Sequence, residues 1–101
     1  MPYISFEWDN NKNKANIVKH GISFEEAQTV FYDEYARLNP DYSHSVSEDR
    51  FLMLGYSSKA RLVIVCHCYR TKNETIRIVS ARKASKFETV QYFKFNKGAQ
   101  K

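Results

Sequence analysis

The stretch LVIVCHCYR, Leu62 to Arg70, decides the architecture. From Leu62 to Tyr69 it is apolar on both faces of an extended chain, which predicts a central strand covered on both sides. Side-chain alternation then puts Cys66 and Cys68 on one face and His67 on the other. That geometry suits neither a disulfide nor a zinc site, because metal ligands must converge and no second ligand pair exists in the chain. The two cysteines therefore read as buried and structural, with no metal expected.

Downstream, a turn at Thr71–Glu74 leads into a strand from Thr75 to Arg82. Its segment IRIVSARKA, Ile76 to Ala84, is patterned for burial yet carries Arg77, Arg82 and Lys83. Guanidinium groups there are costly unless they face a cleft or an acid, and an anion such as RNA phosphate would justify them. Two registers are open. If Tyr69 pairs with Thr75, His67 lies opposite Arg77. If Thr71 pairs with Glu74, His67 faces Ile78 and shares its side with Ser80 and Arg82.

Upstream, Arg50–Tyr56 reads as the preceding strand and Ser57–Ala60 as its turn. Tyr3–Trp8 alternates, with Ile4, Phe6 and Trp8 on one face, as an opening strand does. Asp9 is a natural N-cap for a helix over Asn10–His20, and Gly21 a natural C-terminal stop. Ser23 to Glu26 has the form of a capping box, with Ile22 as its staple, starting a short helix that runs to about Tyr32. Tyr35–Leu38 reads as a short strand, and Asp41–Asp49 as a polar loop carrying an exposed His44. A last helix is expected over Ala84–Phe95, with Phe87, Val90 and Phe93 or Lys94 as its stripe, before a frayed tail, Asn96–Lys101. The order predicts one α+β domain over residues 1–101, an antiparallel sheet packed against two N-terminal helices and one C-terminal helix.

Composition narrows the function. Sixteen Lys and Arg against eleven Asp and Glu leave a formal charge of +5, a field that favours polyanions. With only three glycines there is no phosphate-cradling loop, and no Asp/Glu cluster suits a two-metal nuclease. No apolar run is long enough to cross a bilayer and no secretory leader is visible, so a cytoplasmic protein is expected.

His67 is the first candidate for proton transfer, because imidazole titrates near neutrality, and a satisfied core histidine is its alternative. Arg70, Arg77 and Arg82 are expected to gather around it; for Arg77 and Arg82 the alternative is ion pairing with Glu7, Asp9 or Glu88. On the first helix Lys12, Asn16 and His20 recur at i, i+4, i+8 as one polar stripe. That stripe is either a lip for phosphate or base contacts or a solvated face with His20 at the negative end of the helix dipole. RNA cleavage without a metal needs a base for the 2′-hydroxyl, cations at the phosphate and an acid for the leaving oxygen. His67, Arg70, Arg77, Arg82 and Lys83 would supply them with no cofactor.

The motifs FEWDxNKxxxNxxKHGISFEEA at Phe6–Ala27, DRF at Asp49–Phe51, LGYS at Leu54–Ser57, LVIVxHxYR at Leu62–Arg70 and IRIVSARKA at Ile76–Ala84 together resemble the BrnT toxins. The resemblance implies a ribonuclease toxin of a type II toxin–antitoxin pair with a RelE-like fold, which stops translation by cleaving RNA. It also implies a BrnA-like antitoxin with a ribbon-helix-helix portion, joined to the toxin as a heterotetramer that contacts operator DNA only through the antitoxin. Carried over by position, the catalytic candidates are His67, Arg70, Arg77 and Arg82; the RNA-binding candidates are Lys12 and His20 from the helix stripe and Lys83 from the cationic strand segment. Phe87, Tyr92, Phe93 and Phe95 are many aromatics for a solvated helix, as expected of a surface for the antitoxin or a second copy. The rival readings are a non-catalytic module that binds nucleic acid or antitoxin, with salt-dependent binding and no product, and a structural domain whose arginines are internally paired.

Overall fold

The computed structural model describes residues 4–41, 49–70 and 74–96. Expectations for Tyr3, His44, the Lys72–Asn73 turn and the tail beyond Asn96 fall outside these residues. The elements are β1 (Ser5–Glu7), α1 (Asn10–His20), α2 (Phe24–Thr29) with a 3-10 turn (Val30–Tyr32), β2 (Arg37–Pro40), β3 (Phe51–Tyr56), β4 (Leu62–Arg70), β5 (Thr75–Lys83) and α3 (Lys86–Phe95).

The strands form one sheet in the order β1-β5-β4-β3-β2, with β4 at its centre as its two-sided apolar pattern requires. The sheet is mixed, not wholly antiparallel. β1 joins β5 in parallel, pairing Phe6 with Ile76 and Glu7 with Arg77, after the chain has passed through every other strand. β2 lies two residues beyond its expected position and ends on Pro40, which an edge strand tolerates because its outer amide needs no partner.

α2 covers one face of the sheet, while α3 covers only part of the other, which is the open face. Ile22, Phe24, Ala27 and Val30 pack with Val63, Val65, Ile76, Ile78 and Ala81 on one face. Each fully buried Val, Ile or Phe there contributes about 1.5–3 kcal/mol through burial. On the other face Tyr92 of α3 packs with Leu54 and Ile64. The expected α3 stripe is not the buried one: Phe87, Val90 and Phe93 are exposed, and only Tyr92 is buried. Tyr92 fixes the helix by donating its hydroxyl hydrogen bond to Asp33 Oδ2 at 2.7 Å.

The helix boundaries follow from local chemistry. The Asp9 carboxylate accepts from the amides of Asn11 and Lys12, and Gly21 closes α1 at φ 71°, a conformation that favours glycine. Ser23 caps α2 through the Glu26 amide at 3.0 Å, but the reciprocal half of the expected box is missing. The buried Glu26 carboxylate instead accepts from Ser57 Oγ at 2.6 Å and pairs with the Arg61 guanidinium, which holds its pKa below the usual range. Arg61 also donates to the Gly21 carbonyl, so this pair ties the β3–β4 turn to the α1–α2 junction.

The β4–β5 ladder contains the decisive irregularity. His67 pairs with Ile78, as in the second of the two registers, but Cys66 pairs with Ser80, leaving Val79 as an extra residue. This β-bulge exchanges the faces of everything beyond it. Arg77 and Arg82, five apart, would point to opposite faces of a regular strand; with the bulge, Arg77 opposite Cys68 and Arg82 opposite Ile64 lie on the same face.

Candidate active site

The bulge separates the expected cluster. His67 lies on the α2 face, fully buried, with Phe31, Phe51 and Tyr69 around its ring. One ring nitrogen contacts the Val65 carbonyl oxygen at 3.1 Å and the other the Tyr69 hydroxyl at 3.3 Å. Burial depresses its pKa, favouring the neutral ring. Arg70, Arg77 and Arg82 belong to the opposite face, so the expected gathering of His67 with the three arginines does not form.

His67 carries a pH prediction. A histidine whose folded pKa lies below its unfolded value, near 6.5, binds fewer protons folded than unfolded, so stability rises with pH there. Its contribution is complete above about pH 7 and is lost as pH falls below the unfolded value and through the lower folded one. Urea midpoints should drop between about pH 7 and pH 5, and His67→Asn should flatten that drop. A wild-type midpoint constant across this window would contradict the buried neutral ring.

Arg77 and Arg70 both reach Glu7. Arg77 Nη1 lies 2.9 Å from Glu7 Oε2 and Arg70 Nε 3.7 Å from the same oxygen. These groups are exposed enough that the pairs add little stability. Arg82 pairs instead with Glu88 of α3. Internal pairing, the alternative for Arg77 and Arg82, is thus formed at both positions.

Arg82 lines a cleft of about 310 Å³ on the open face, with His20, Asp41, Arg50, Cys66 and Ser80 among its walls. α1 brings His20 to this cleft because the helix is fastened to the edge of β5. There β1 has ended, and the Ala81 peptide would face no neighbouring strand. The buried Asn16 side chain takes that place. Its Nδ2 donates to the Ala81 and Ile22 carbonyls at 2.9 and 2.7 Å, and its Oδ1 accepts from the Ala81 amide at 3.1 Å. Asn16 is therefore not part of a solvated stripe with Lys12, which is exposed at the start of α1; Lys83, at the end of β5, is exposed as well.

Within the cleft the Cys66 thiol lies 3.8 Å from Asp41 Oδ2, and burial and that carboxylate raise its pKa, so the thiol stays protonated. Among the described residues no group of three or more His, Cys, Asp and Glu is placed to hold a metal. The cleft is thus lined by two guanidinium groups, from Arg50 and Arg82, by the His20 imidazole and by the Asp41 carboxylate. Sequence reasoning missed Arg50, whose DRF motif gave no sign of facing the same cleft as Arg82; it named Glu88 as a possible partner but not the capping box with Ser85 that holds it.

A family model described as ribonuclease toxin, BrnT, of type II toxin–antitoxin system matches residues 8–88, most of the chain. The chain belongs to the BrnT family. As a BrnT-family member it is a ribonuclease toxin with an RNA substrate and an antitoxin partner. Its fold is similar to the crystal structure of the Brucella abortus ribonuclease toxin BrnT, with a TM-score of 0.63. The two are 23% identical, and the match covers 83% of this chain and 100% of the Brucella one. A search of curated proteins finds no match. No helix among the described residues of this BrnT-family chain is long and apolar enough to cross a membrane.

Proposed function

We propose that this toxin cleaves RNA without a metal, in the cleft on the open face. The observation that carries the reading is the bulge at Val79, which puts Arg82 on the face where Arg50 and His20 line the same cavity. Arg82 and Arg50 hold the scissile phosphate and offset the charge that builds on it. His20 removes the 2′-hydroxyl proton, and that oxygen attacks phosphorus. The bond to the 5′-oxygen breaks, leaving a 2′,3′-cyclic phosphate and a 5′-hydroxyl that takes its proton from water. Arg70 and Arg77 extend the cationic track toward β1, and Lys12 and Lys83 meet phosphates outside the cleft. His67, buried on the other face of β4 among Phe31, Phe51 and Tyr69, belongs to the core and takes no part in the chemistry.

The BrnT-family assignment supports the remaining parts of this reading. Loss of mRNA stops translation in the cytoplasm. A BrnA-like antitoxin neutralises the chain in a heterotetramer and carries the contacts to operator DNA. The two helices, strand meander and final helix support a RelE-like relationship. The non-catalytic alternative draws on the pairing of Arg77 with Glu7 and Arg82 with Glu88, which gives both cations an internal role.

Expression of the chain alone, and beside its neighbouring open reading frame, separates the two. Growth arrest with RNA fragments ending in a cyclic phosphate, formed in the presence of EDTA and relieved by the neighbour, is the expected result. Intact RNA and normal growth despite folded protein would leave the binding module.

A further inference from the structure

We propose that Glu88, on the first turn of α3, is the positioning residue for Arg82, so that the reaction site includes the start of the C-terminal helix. The inference rests on the reading that RNA phosphate binds in the open-face cleft.

Arg82 meets Glu88 fork to fork, Nη1 to Oε1 and Nη2 to Oε2, both at 2.8 Å, and Nη1 also donates to the Lys83 carbonyl at 3.3 Å. Of the five guanidinium N–H groups, Nε–H and one on Nη2 are left for a ligand. The Arg82 side chain is 44% exposed and lines the cleft, so those remaining donors are accessible. A free arginine on a strand samples many rotamers; one held bidentately by a carboxylate keeps its plane fixed.

Glu88 can serve as that anchor because it is fixed independently of Arg82. Its Oε1 accepts from the Ser85 amide at 2.8 Å and its own amide donates to Ser85 Oγ at 3.1 Å, forming a capping box. Arg82 and the Ser85 amide together hold the carboxylate pKa down to about 2, so the anchor is ionised at any working pH. Were Glu88 only a competitor for Arg82, phosphate would have to open both the ion pair and the helix cap. A site that keeps the pair and uses the two remaining N–H groups needs neither.

The test compares Glu88→Gln, Ser85→Ala and Arg82→Ala in the full chain, using a mixture of free RNA and mRNA-loaded ribosomes as substrate. Glu88→Gln should lower kcat by at least about tenfold while KM changes little, because a misaimed donor is lost mainly in the transition state. Ser85→Ala removes the hydroxyl cap but leaves the ion pair, and its kcat should stay near wild type. In the double variant Arg82→Ala/Glu88→Gln, kcat should equal that of Arg82→Ala alone, since Glu88 acts through Arg82.

If Glu88→Gln cleaves as wild type, or binds RNA more tightly and cleaves faster, the positioning role is overturned. Equal loss in Ser85→Ala and Glu88→Gln would assign Glu88 to helix capping alone and overturn it as well. If Arg82→Ala itself retains full activity, or wild type fails to cleave, the cleft reading fails first.

Discussion

Arg82→Ala should lower RNA cleavage by roughly 100- to 1,000-fold while the chain stays folded. Two properties of Arg82 combine to make the effect large. Its guanidinium is oriented at the edge of the cleft, with donors left for an anion, and charge on a scissile phosphate grows in the transition state. The folding cost is small by comparison, because the pair with Glu88 is half-exposed. Arg82→Lys should recover little of the activity, since an ammonium cannot keep the fork geometry with Glu88. Initial cleavage rates beside thermal melts check this. A near-normal rate in Arg82→Ala would remove the open-face cleft as the reaction site.

Asn16→Ala should be the most damaging small substitution for stability, at roughly 3 kcal/mol, enough to lower Tm by more than about 10 °C in a domain of this size. The Asn16 side chain satisfies an amide and two carbonyls, all at a buried position. Without it, the Ala81 peptide loses its partners beyond the end of β1. Against a total stability of about 5–15 kcal/mol the loss is large. Asn16→Asp should not rescue, because a carboxylate has no donor for the Ala81 and Ile22 carbonyls. A loss below about 1 kcal/mol would mean that water replaces the side chain at little cost. The same substitution should also loosen the site, since α1 carries His20 and β5 carries Arg82.

The elements were largely legible because their signals are local. Asp9, Gly21 and Ser23 mark helix ends through bonds within a few residues, and the two-sided apolar pattern of β4 places it at the centre of the sheet. One of the two β4–β5 registers is the one found beside the turn. What could not be read depends on partners distant in sequence. Nothing in the alternation around Val79 signals an extra residue, yet that residue decides which arginines share a face. Asn16 looks like part of a helix stripe until Ala81, far along the chain, is seen against it. Glu26 has the right spacing for a capping box, but a buried ion pair with Arg61 outcompetes the reciprocal cap. In α3 the periodic positions Phe87, Val90 and Phe93 suggested the buried face, whereas the Tyr92 hydroxyl, bonded to Asp33, sets the orientation.

The central claim is that RNA reacts on the open face, and the two histidines on opposite sides of β4 and β5 test it most directly. Cleavage rates and RNA binding should be compared for His20→Ala and His67→Asn, each checked for folding. The account predicts that His20→Ala binds RNA but loses roughly 100-fold in rate, as removal of a proton-transfer group does, while His67→Asn, if less stable, still cleaves within about threefold of wild type. A folded His67→Asn that is inactive beside an active His20→Ala would contradict it and place the chemistry on the α2 face.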